Sequence, residues 1–90
     1  MNTEECVWYS ARNEDGSCQI NLDDSYLRIY LSIGEVRNAL NRHIAKYNSQ
    51  GTTYIICKTT YRVTLNEAGQ FAKAESIVEA VETCRKEKAV

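Results

Sequence analysis

Six side chains carry the most concentrated recognition chemistry in this 90-residue chain. Tyr26, Arg28 and Tyr30 lie in residues 25–31, and Tyr54, Lys58 and Arg62 lie in residues 52–65. Both stretches alternate with the period of a half-buried strand. In the first, Leu27, Ile29 and Leu31 occupy the opposite parity. In the second, Ile55, Cys57, Tyr61, Val63 and Leu65 do so. If the aliphatic side of each strand enters the core, the Tyr/Arg/Lys side stays on an open sheet face. Such a face suits a protein partner, because Tyr and Arg are over-represented among interface anchors. The alternative is nucleic-acid or nucleotide binding, with bases stacked on the tyrosines and phosphates neutralised by Arg and Lys. A plainer reading is that Tyr and Thr form strands well while Arg and Lys keep an exposed face soluble. The formal net charge of −1 places the protein partner ahead, since nucleic-acid footprints tip a domain basic. The same open face would also serve a homodimer.

The remaining reactive side chains point away from catalysis. His43 is the only histidine; no nucleophile neighbours it, and its place beside an apolar helical stripe fits a half-buried structural role. Cys6, Cys18, Cys57 and Cys84 contain no close pair, whereas structural zinc sites draw on spacings such as C-x₂₋₄-C. Asp23 and Asp24 are adjacent, so on a strand they point oppositely and cannot share an ion. Glu75, Glu79 and Glu82 recur as an acidic stripe on an expected helix, which reads as a solvated face. No P-loop, GxGxxG or GxSxG occurs. The expectation is a non-enzyme with no cofactor and no metal.

Composition agrees with one folded domain over residues 1–90: 43% of residues are hydrophobic and 26% charged, which are globular values. No apolar run approaches the ~20 residues of a membrane span. The acidic start MNTEECVWYSARNED lacks the basic and apolar regions of a signal peptide. An intracellular, cytoplasmic protein with reduced thiols is expected. Charge is uneven: residues 1–27 carry −5, residues 28–63 carry +5 and residues 64–90 carry −1. This either marks a partner surface or cancels inside the fold.

The elements that must hold these groups follow from periodicity. Residues 5–12 read as a strand, Asn13-Glu14-Asp15-Gly16 as a hairpin turn, and residues 17–22 as the returning strand. A two-residue turn there places Cys18 opposite Asn13, far from Cys6, so no cross-hairpin disulfide is expected. Residues 26–31 form a third strand. Ser32 and Glu35 form a capping box, opening a helix over 33–48 with Val36, Leu40, Ile44 and Tyr47 on one stripe; Asn48 and Gly51 suit its end. Residues 52–65 are the strongest β segment, too long for a small domain without a bend, bulge or tight turn near 58–60. Thr64 and Glu67 make a second capping box, predicting a helix to about residue 86 with Phe71, Ala74, Val78 and Val81 apolar. The fold class expected is α+β. It comprises a small antiparallel or mixed sheet of about four or five strands, in the order β-β-β-α-β-(β)-α, with two helices on one face. The function expected is a small binding protein, an adaptor or an inhibitor of the kind that phages and mobile elements make.

Overall fold

A computed structural model describes residues 2–23 and 29–87. Among these residues the chain forms three strands and one helix: β1 (Asn2–Asn13), α1 (Ile33–Tyr47), β2 (Thr53–Leu65) and β3 (Phe71–Arg85). The sheet is antiparallel with β2 in the middle. β2 earns that place by composition. Nine of its thirteen residues are β-branched or aromatic, the types that fit a pleated surface flanked on both sides.

α1 starts where the capping box predicts. The Glu35 N–H donates to Ser32 Oγ at 3.2 Å, and the Glu35 carboxylate accepts from the Leu31 N–H at 2.9 Å. The helix ends on Asn48, which is left-handed at φ 53 and donates its N–H to the Ile44 carbonyl. Val36, Ala39, Leu40 and Ile44 are buried and meet Ala11, Tyr54 and Ile56 of the sheet. Leu22 and Tyr30, from the segment joining β1 to α1, complete this core, with Tyr9, Ile20, Ile33 and Cys84 packed around it.

The expected fold class is corrected in four places. The predicted second strand, 17–22, pairs only through the isolated bridge Arg12↔Gln19. Cys18 does lie opposite Asn13, whose N–H donates to the Cys18 carbonyl at 3.0 Å. The segment then runs beside β1 as irregular chain, with Ile20 N–H donating to the Ala11 carbonyl. Half of the predicted third strand, 26–28, lies outside the described residues; of 29–31, Tyr30 alone bridges, to Tyr9. β2 is one continuous strand with no tight turn, and the irregularity expected near 58–60 is a register shift in its ladder to β3 at Ile56/Cys57. β2 accommodates its length because the molecule is elongated, 62 × 21 × 19 Å.

The fourth correction is the largest: the predicted second helix is β3. Thr64 lies inside β2, opposite Thr3 and Lys73, and caps nothing. The chain reverses just beyond it. The Asn66 side-chain oxygen accepts from the N–H groups of Ala68 at 3.0 Å and Gln70 at 2.9 Å. Gly69 turns at φ 79, and the Asn66 N–H closes on the Gln70 carbonyl at 2.8 Å. The Ala, Glu and Lys of β3 favour helix weakly, by tenths of a kcal/mol each. Pairing along the open edge of β2 outweighs them.

With that helix gone, α1 covers only one end of the sheet. The core takes Tyr9 and Ala11 from β1, Tyr54 and Ile56 from β2 and Cys84 from β3. Residues 58–65 of β2, about 26 Å of strand, project beyond it with their neighbours as a single-layer arm.

Candidate protein-interaction surface

Register assigns each arm residue to a face. Toward the α1 side lie the rows Tyr9–Lys58–Glu79, Val7–Thr60–Ile77 and Glu5–Arg62–Glu75. On the opposite side lie Ser10–Cys57–Ala80, Trp8–Thr59–Val78, Cys6–Tyr61–Ser76 and Glu4–Val63–Ala74.

The α1-side face of the arm carries charged rows that neutralise one another, on either side of the exposed Val7 and Ile77. Arg62 Nε donates to Glu5 Oε1 at 2.7 Å, and its Nη1 lies 3.5 Å from Glu75 Oε1. Those carboxylates hold the Arg62 guanidinium pKa above its ordinary value, the Glu5 hydrogen bond first. Lys58 sits opposite Glu79 in register. Glu82 is hydrogen-bonded to Arg37 of α1, Nε to Oε2 at 2.6 Å. Arg42 is gripped at both nitrogens by Asp23, at 2.9 Å each. The basic middle of the sequence is thus cancelled from within by acids at either end, including the three glutamates expected on a solvated helix.

The opposite face is apolar. The Trp8 and Tyr61 rings lie 6.3 Å apart across β1 and β2. Beside them Ser10, Cys57 and Thr59 form a buried floor of small side chains, with Cys57 only 2% exposed. Burial pushes the Cys57 thiol pKa up against the opposing pull of Arg12, which keeps the thiol protonated and unreactive. Val78 and Tyr61 stand exposed, and Phe71 at the tip is 65% exposed. None of these residues belongs to the helix-side core.

Of the six residues singled out from sequence, the four that are described do not assemble into one site. Tyr26 and Arg28 lie outside the described residues. Tyr30 is 6% exposed, and its hydroxyl donates to Asp23 Oδ2 at 2.9 Å. Ile29 and Leu31, expected inside, are 51% and 79% exposed, so parity there runs opposite to expectation. Tyr54 is buried under α1, with its hydroxyl on Ser49 Oγ at 3.0 Å and its ring edge-on to His43 at 5.9 Å. Lys58 and Arg62 alone share an open face, each facing acids. Trp8, Tyr61 and Val78 were missed because the parity of Tyr61 and Val63 is the more apolar one and so reads as core. β2 instead turns Tyr54 and Ile56 toward α1 and leaves that apolar parity outside.

A concavity of about 350 Å³ beside α1 is lined by Asp23, Arg42, His43, Lys46 and Tyr47. Its side chains are committed to one another: Arg42 to Asp23, His43 to the Tyr47 ring at 4.9 Å, and the Lys46 ammonium over Tyr47 at 5.3 Å. Among the described residues no group of three or more His, Cys, Asp or Glu could hold a metal ion. No described helix is long and apolar enough to cross a membrane. Compared with family models, with curated proteins and with solved structures, the chain matches none.

Proposed function

We propose that this chain is a protein-binding module, an adaptor or an inhibitor, that docks through the sheet face opposite α1, centred on Trp8 and Tyr61. One observation carries the reading: the more apolar parity of the central strand is the one α1 leaves uncovered. Exposed aromatic and aliphatic area of this kind stabilises nothing in an isolated chain and is a recurrent mark of docking surfaces. Trp and Tyr are enriched among the few anchors that dominate such interfaces, where truncation costs about 2 kcal/mol or more. The nucleic-acid alternative is less favoured, since among the described residues of its face Tyr30 and Tyr54 are buried and Arg62 is matched by two carboxylates.

The test is affinity capture from cells with the whole chain and with Trp8→Ala, Tyr61→Ala and Lys58→Ala variants. Proteins held by wild type and by Lys58→Ala, but lost from both aromatic variants, are expected. Identical capture by all four chains refutes the assignment. Salt-sensitive binding of mixed oligonucleotides, with no protein captured, would establish the alternative.

A further inference from the structure

The sheet has a second unsatisfied surface that the docking face does not use. β3 pairs with β2 along one side, and among the described residues its other side forms no ladder. None of its fifteen residues is buried. Proteins protect edges of this length with proline, charged side chains, bulges or a covering segment; of these β3 carries charges, at Lys73, Glu75, Glu79, Glu82 and Arg85, which select among partners rather than exclude all of them. Proline is absent from the chain. The register shifts fall only at the two ends, between the partners of Ile56/Cys57 and of Thr64/Leu65. They leave Lys73 to Ala80 as an uninterrupted run, matched one-to-one with β2.

We propose that β3 pairs antiparallel with β3 of a second copy of this chain, with the two-fold axis through Ser76, giving a continuous six-stranded sheet. Symmetry and charge select the register. A two-fold axis perpendicular to a sheet joins residues that lie on the same face, and side chains alternate with period two. The axis must therefore pass through a residue rather than between two. Two such registers pair seven residues of the uninterrupted run. With the axis at Ile77, Glu75 faces Glu79 of the second copy twice. With the axis at Ser76, Lys73 faces Glu79 of the second copy twice, and Ala74 faces Val78. Opposite charges directly across an antiparallel pair stabilise it and like charges oppose it.

The rest of the fold accommodates this arrangement. α1 is tied to β3 at Glu82 through Arg37, and the chain after α1 meets the strand end, Gly51 N–H to the Lys86 carbonyl at 2.7 Å. In the Ser76 register these levels lie beyond Phe71 of the other copy, so the two helical ends sit at opposite extremes of the dimer. On the face away from α1, the row Trp8–Thr59–Val78 of one copy continues into Ala74–Val63 of the other. Pairing thus also joins the two apolar faces into one.

The experiment is sedimentation equilibrium of the full chain across a concentration series. A monomer–dimer equilibrium is expected. Lys73→Glu and Glu79→Lys should each raise the dimer dissociation constant about tenfold, since two attractive pairs become repulsive. The double variant Lys73→Glu/Glu79→Lys should restore it. Ser76→Cys supplies an independent reading. Residues facing each other across an antiparallel pair have Cα atoms about 4.5–5.5 Å apart, within disulfide reach. Mild oxidation should therefore link two chains through position 76, as identified by peptide mass spectrometry. A monomer at every concentration overturns the proposal. So does a dimer indifferent to all three charge variants and linked through cysteines other than that at position 76.

Discussion

Gly69→Ala decides between hairpin and helix for the last third of the chain by the sign of its effect. In the hairpin Gly69 sits at φ 79, where an L side chain costs about 1–2 kcal/mol. A Cβ built there meets nothing within 4 Å, so no clash or new contact enters. Alanine also stiffens the unfolded chain, which returns about 0.4–1 kcal/mol. The net expectation is destabilisation of about 1 kcal/mol, or a midpoint lowered by about 4–8 °C for a domain of this size. In the helix that the spacing of Phe71, Ala74, Val78 and Val81 suggests, the same change would stabilise by about 1 kcal/mol. Thermal unfolding followed by circular dichroism, with urea titration as a second measure, reads the difference. A raised midpoint refutes the hairpin and the edge strand built on it.

Three further outcomes are expected. Ser32→Ala should lower stability by about 1 kcal/mol in urea unfolding, because it removes the acceptor for the Glu35 N–H. The Glu82 carboxyl pKa is held below its ordinary value by the hydrogen bond from Arg37. The resulting stabilisation is therefore present above the unfolded carboxylate pKa and lost as pH falls through the lower folded value; NMR titration should show that depressed midpoint, and Arg37→Ala should raise it. In the folded protein Cys6 and Cys18, both exposed, should react quickly with a thiol reagent, while buried Cys57 should react only on unfolding.

What was legible in the sequence was local. Ser32, Glu35 and Asn48 fix both ends of α1 through bonds within a few residues, and Val36, Leu40 and Ile44 name its buried stripe, whereas Tyr47, expected on that stripe, is 56% exposed. The strength of residues 52–65 as a strand was equally plain. What failed depended on distant partners. β3 is apolar at both helical and strand spacings, and only the open edge of β2 chooses between them. The turn signal at Asn66 and Gly69 was present, but Thr64 and Glu67 imitate a helix start. The side of β2 that faces inward is set by where α1 docks, and α1 selects Tyr54 and Ile56 over the more apolar parity. The aromatic pair Trp8 and Tyr61 was invisible for the same reason, since the two rings lie 53 positions apart in the chain and register alone brings them together.

The central position of β2 also orders events in time. Its hairpin with β3 closes over a few residues and can form by itself on a fast timescale. β1 is synthesised first, yet its ladder joins Asn13 to Tyr54 and Asn2 to Leu65, so it waits for the chain beyond α1 before any rung can form. Pairings of such sequence separation are slow, because the loop must be ordered before contacts reward it. Throughout that interval Cys6, Val7 and Trp8 lack their ladder partners Tyr61, Thr60 and Thr59, and only Tyr9, bridged to Tyr30, can pair early. A nascent or partly unfolded molecule therefore presents its most adhesive strand when it is least able to bury it, and the rate at which the hairpin forms governs how long that exposure lasts.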